Sequence, residues 1–197
     1  MSSGTIDAAA PVLAEVTRSG FVESLHRGHA CVASLAEGVT EAWGEPSRVI
    51  LPRSALKPVQ ALALVETGAA EAAGLSEAEL ALACASHSGS ADHVARVGAW
   101  LGRLGLGEGA LACGGHEPQD RAERDALIRA GRRPSRLHDN CSGKHAGFLT
   151  LGVRLGAVAD YVDPEGAVQR AVAEAVEGAT GDAPGLGWAL DGCAAPN

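Results

Sequence analysis

Between Ala14 and Glu45 apolar and polar positions alternate. The run VTRSGFVESLHRGHACVASL, then VTEAW, predicts short antiparallel strands with a turn at Glu37-Gly38. RVILP (48–52) adds one more strand-like run, closed by Pro52. The period then lengthens. Ser54 to Gly68 is apolar apart from one Gln and one Glu and predicts a buried helix, with Gly68 and Gly74 as stops. LSEAELALACAS (75–86) has Ser76 as N-cap and Glu79 three residues later, the pattern of a capping box. Residues 90–106 place Val94, Val97, Trp100, Leu101 and Leu104 on one helical face.

A Gly-rich turn region (107–118) precedes a polar helix that Gly131 and Pro134 close. Residues 140–156 predict a helix capped by Asn140. Residues 163–181 predict another, with Asp163 as cap and Pro164 at its first position. The final GWALDGCAAPN reads as strand and then loop. Strands first and helices afterwards give an α+β fold class.

Composition adds limits. Residues 1–13 are small, polar or Ala-rich and are expected to be disordered, leaving 14–197 as one domain. Hydrophobic residues make up 46% but aromatics only 3%, so the core must be built from small side chains in closely packed elements. A net charge of -8 argues against a nucleic-acid partner. No apolar run is long enough for a membrane span; the stretch 61–85 carries Glu66, Glu71, Glu77 and Glu79. No signal-peptide pattern opens the chain, so a cytoplasmic location is expected. Cysteines at 31, 84, 113, 141 and 193 are odd in number and widely spaced, which fits reduced thiols better than a disulfide framework.

Four clusters could carry chemistry. Ser54 and Lys57 form S-x-x-K at the start of the predicted helix, on one face and one turn apart. A serine hydroxyl needs a base, and a lysine can be that base where burial favours its neutral form. The free N–H groups of the helix start could also serve an oxyanion. Taken alone, the pair reads better as a helix N-cap serine and a surface lysine, because S-x-x-K is frequent by chance. SHSGS (86–90) could pass a proton through a loop serine, or be a polar loop with Ser90 capping the next helix. In DNCSGKHAGF (139–148), Cys141 and Lys144 share a helix face; thiolate suits zinc, and the preceding glycines of a phosphate loop are absent. In DGC, Asp191 and Cys193 would point to one side of an extended segment and could complete a metal site; a reverse turn is the plain alternative.

RSALKPVQ, CASHSGS, HDNCSGKHAGFL and DGCAAP, in this order and spacing, resemble the L-asparaginase II family of the Rhizobium etli type. That family differs from the threonine-nucleophile bacterial asparaginases and from the N-terminal-nucleophile plant type. The similarity runs from about Val12 to Asn197. It implies a fold like serine β-lactamases, penicillin-binding proteins and glutaminases, and hydrolysis of L-asparagine to L-aspartate and ammonia. It implies Ser54 as nucleophile, Lys57 as its activating lysine and Ser86 as proton relay. It implies Cys141, Lys144 and Cys193 as zinc ligands with Asp191 beside the metal, and a homodimer as the assembly.

Two departures stand out. Ser90 replaces the family's usual glutamate after S-H-S-G, which would weaken a local cap or contact. Family members also continue past Asn197, so the chain is expected to be truncated, with an incomplete sheet, an unfinished pocket and little activity of its own. Other S-x-x-K acyl hydrolases, a glutaminase or a β-lactamase-like enzyme, are the competing enzymatic reading. An inactive zinc-stabilised fragment is the non-enzymatic one.

Overall fold

The computed structural model describes residues 10–181 and 187–196. It is α+β and divides into two units, residues 1–50 and 51–197. Most of the expected disorder at 1–13 lies outside the described residues; Val12 and Leu13 belong to the first strand.

The first unit holds two antiparallel hairpins. Strands β1 (Val12–Arg18) and β2 (Phe21–Arg27) pair with each other, as do β3 (Ala30–Ser34) and β4 (Gly38–Trp43). Ser19 and Gly20 both take positive φ, 49° and 84°, the turn geometry that matches strand twist. In the second hairpin the Glu37 N–H donates to Ser34 Oγ at 3.1 Å, and Gly38 opens β4 with φ 69°. The alternation identified both hairpins. RVILP forms no strand. Prolines stand at 46 and 52, the Arg48 N–H turns back to the Glu45 carbonyl at 3.3 Å, and Val49 and Ile50 are exposed.

The second unit is helical. A 3-10 turn (Arg53–Leu56) leads into α1 (Lys57–Gln60), α2 (Leu62–Glu66) and α3 (Ala69–Ala72). Helices α4 (Glu77–Cys84), α5 (Ala91–Arg103), α6 (Arg121–Arg129), α7 (Ser142–Leu155) and α8 (Ala167–Thr180) follow. The expected single helix from Ser54 to Gly68 is therefore broken. Pro58 has no N–H to continue an α-helical ladder, and the Lys57 N–H bonds tightly back to the Ser54 carbonyl instead.

Helix α7 is the centre of this unit: Ser142 to Gly152 are all buried. Its glycines and alanines let neighbours come close, as the small-residue composition required. Trp100 of α5 is fully buried, and its indole N–H donates to Thr150 Oγ1 on α7 at 3.0 Å. The predicted apolar face of α5 packs through Val97, Trp100 and Leu101.

Two helix starts differ from expectation. Cys141 rather than Asn140 stands at the N-cap of α7, and Asp139 Oδ1 accepts the Cys141 N–H at 2.8 Å. Helix α8 starts after Gly166, because Asp163 folds a tight turn: its carboxylate accepts the Glu165 N–H and its carbonyl the Gly166 N–H. In both places a short polar side chain bonds its own loop instead of a helix.

The capping box of α4 forms as predicted, and Glu79 also accepts from Arg103 at 2.6 Å. Ser76→Ala should cost about 1 kcal/mol of unfolding free energy in urea titration. Glu79→Ala should cost more, because it also leaves Arg103 without its partner.

Candidate active site

Ser54 sits exposed in the 3-10 turn, and Lys57 one turn later is 2% exposed. The lysine points inward. Its Nζ donates to the Ala85 carbonyl at 3.0 Å and to Ser86 Oγ at 2.8 Å. Ser86 Oγ in turn donates to Ser54 Oγ at 3.1 Å. Two serines from separate segments and one buried lysine thus form a single hydrogen-bonded chain. The expected free N–H groups at the helix start are partly taken: Ala55 N–H bonds Pro52 and Lys57 N–H bonds Ser54.

The second half of the site lies on α7 and the loop at 191–193. Lys144, also 2% exposed, donates to Asp191 Oδ2 at 3.1 Å and to Cys193 Sγ at 3.0 Å. Asp191 and Cys193 do not lie along a strand. They sit in a turn in which Asp191 Oδ1 accepts from the Cys193 N–H at 2.9 Å and from its thiol at 2.8 Å. Burial opposes the charge on Asp191, but the Cys193 thiol and the Lys144 ammonium outweigh it and hold the carboxyl at about 2. Burial also opposes the charge on Lys144, and Cys193 and Asp191 raise its pKa in spite of that.

Cys141 joins the halves. It couples to the Cys193 thiol and to the ammonium groups of Lys57 and Lys144. Of the two thiols, Cys141 is the one driven toward thiolate, by the hydrogen bond from Cys193 and the nearby lysines, against its burial. Cys193 is pushed up by that same hydrogen bond and by burial. All seven residues singled out in the sequence therefore stand in one connected cluster.

Packing explains the juxtaposition. At Gly143, between Cys141 and Lys144, a Cβ would overlap the Leu82 carbonyl oxygen and lie 2.8 Å from its carbon. Only glycine lets α7 approach α4 this closely, which sets Lys144 and Cys141 beside Ser86.

His87 fixes the other side. The Gly89 N–H donates to His87 Nδ1 at 3.1 Å, so the ring proton is on Nε2, which donates to Ser142 Oγ at 2.8 Å. Ser142 passes its own proton to the Leu137 carbonyl at 3.0 Å. Gly89 supplies the left-handed turn, φ 70°, against the His138 carbonyl. Ser90 caps α5 by accepting the His93 N–H, the role its loop position predicted.

Arg53, directly before Ser54, also has φ 55°, a left-handed backbone that a non-glycine residue rarely adopts. No local sequence signal marks Arg53. The histidine of S-H-S-G was visible, but its role depends on Ser142, distant in sequence.

The model of the L-asparaginase II family matches residues 14–197. The chain belongs to the L-asparaginase II family. No curated protein matches the sequence significantly. Membership in the asparaginase II family supports an asparagine-hydrolysing amidohydrolase. Among the described residues no helix is long and apolar enough to cross a membrane. Nor, among them, do three or more His, Cys, Asp or Glu side chains group to hold a metal ion. The donors gathered here are two thiols and a lysine amine, with Asp191 behind them. That set suits a soft divalent ion once Lys144 loses its proton.

His87 gives a pH prediction. Burial, then the neighbouring His93 and Lys57, push its imidazole down to about 4, against about 6.5 unfolded. The unfolded chain binds that proton first, so this part of the stability is complete above pH 6.5 and is lost as pH falls toward 4. The loss should be about 3 kcal/mol. Chemical unfolding across that range should show it, and His87→Gln should flatten it.

Proposed function

We propose that the chain converts L-asparagine to L-aspartate and ammonia through Ser54, Ser86 and Lys57. The observation that carries this reading is the unbroken chain from Lys57 Nζ through Ser86 Oγ to Ser54 Oγ, at 2.8 and 3.1 Å. Serine hydroxyls rotate, so the same chain runs either way. With Lys57 as ammonium, protons point toward Ser54. With Lys57 as free amine they point inward, and Ser54 can give its proton to Ser86 while Ser86 gives its own to Lys57.

In that second state Ser54 Oγ attacks the side-chain amide carbon of asparagine. The proton held on Lys57 returns through Ser86 to the departing nitrogen, and ammonia leaves. An aspartyl ester remains on Ser54. Water, deprotonated by the same route, attacks the ester carbonyl; the ester C–O bond breaks, the proton returns to Ser54 and aspartate is released. The exposed nucleophile and buried base suit this division of labour: substrate reaches Ser54 while bulk solvent is kept from Lys57.

Zinc is part of the proposal. Cys141, Lys144 and Cys193 would hold it, and Asp191 would orient Lys144 and Cys193 from behind. Bound zinc supplies positive charge that favours an anionic substrate group. All five cysteines are free, consistent with a reducing, cytoplasmic setting.

Ser54→Ala should lower ammonia release from L-asparagine by about 10³-fold or more, with zinc content unchanged. If both are lost, Ser54 is a structural cap. Lys57→Met should match Ser54→Ala in turnover. Cys193→Ser should lower the metal content found by elemental analysis while the Ser54–Ser86 pair stays in place. Release from L-glutamine, or acylation by a labelled penicillin, in preference to L-asparagine would assign the same serine to another acyl transfer.

A further inference from the structure

Gln60 lies one turn after Lys57, on the same helical face. It is 3% exposed. Its Nε2 donates to the Pro196 carbonyl at 3.3 Å. That carbonyl needs a donor, so the amide nitrogen must face it and Oε1 must face away. Among the described residues Oε1 has no hydrogen-bond partner. An acceptor buried and unpaired in this way is costly and calls for an explanation.

A small cavity supplies one. It measures about 10 Å³ and is lined by Lys57, Gln60 and Lys144 and by the apolar Ala61, Leu64, Ala83, Gly147 and Phe148. That volume is at the size one water molecule needs, about 10–15 Å³. Apolar cavities stay dry, but this one has three polar side chains in its wall, and a buried water typically uses two to four partners. Lys144 has a hydrogen to spare, while the third hydrogen of Lys57 is directed at the Cys141 thiol. Lys57 Nζ spends two on Ala85 and Ser86, and Lys144 Nζ spends two on Asp191 and Cys193.

We propose that Gln60 is a positioning residue that anchors a single buried water between Lys57 and Lys144. The water accepts an N–H from Lys144 Nζ, lies against Lys57 Nζ and donates to Gln60 Oε1. The Pro196 carbonyl fixes the amide from its other end. The lysine that serves Ser54 and the lysine beside the thiols are then held by one shared contact. Gln60 also lines a larger pocket with Leu56, Val172 and Trp188.

The role of Gln60 rests on the asparaginase reading, whereas the water site does not. The test compares the wild-type chain with Gln60→Met, which keeps length but removes the acceptor, and Gln60→Glu, which restores an acceptor. A high-resolution crystal structure of the wild type should show one water peak in this cavity, and Gln60→Met should lack it. With L-asparagine, kcat of Gln60→Met should fall about tenfold while KM changes less than about twofold, the scale seen when a supporting hydrogen bond is lost. Gln60→Glu should recover most of kcat. A dry cavity in the wild type overturns the proposal whatever the variants do. So does wild-type kcat in Gln60→Met, or a loss that Gln60→Glu fails to restore. A wild type that releases no ammonia defeats the asparaginase reading instead, and the density still decides the water site.

Discussion

The start of α7 meets the end of α4 backbone to backbone, at Gly143 and Leu82. The site depends on that contact. It puts Cys141 and Lys144 within reach of the segment that carries Ala85 and Ser86, and so within reach of Lys57. One methyl group at position 143 would force the two helices apart. The 2.8 Å bond between Lys57 and Ser86 leaves little room for such a shift.

Electrostatics sets the second constraint. Two lysines, each 2% exposed, share one cluster. Buried charges are tolerated only when paired and hydrogen-bonded. Lys144 has Asp191 and a thiol. Lys57 has a carbonyl, a hydroxyl and the Cys141 thiol beside it but, among the described residues, no hydrogen-bonded carboxylate. The two are therefore suited to different work: Lys144 is held by charge, and Lys57 is placed on a chain of groups that can pass a proton. His87 stays neutral and rigid, so the loop carrying Ser86 is fixed without adding a third positive charge.

Local signals were legible in the sequence where local physics decides the outcome. The hairpins follow from alternation and their turns, and the α4 capping box from Ser76 and Glu79. The seven chemical residues were legible as motifs. Their junction was not, because Cys141 meets Lys57 and Cys193 through tertiary packing. The errors have the same origin. RVILP has strand composition but, among the described residues, no partner strand. Asn140 and Asp163 have cap chemistry, yet Asp139 and the Asp163 turn satisfy those peptides first. The left-handed Arg53 and the unpaired oxygen of Gln60 leave no trace in hydrophobic pattern at all.

The central claim is that Ser54 becomes acylated through Ser86 and Lys57. The most direct measurement is mass spectrometry of the protein quenched during turnover of L-asparagine, followed by peptide mapping. The account predicts an aspartyl ester on the peptide containing Ser54, absent in Ser54→Ala and slow to form in Ser86→Ala. Active protein with no adduct at Ser54 under rapid quench, or with an adduct on another residue, would contradict it.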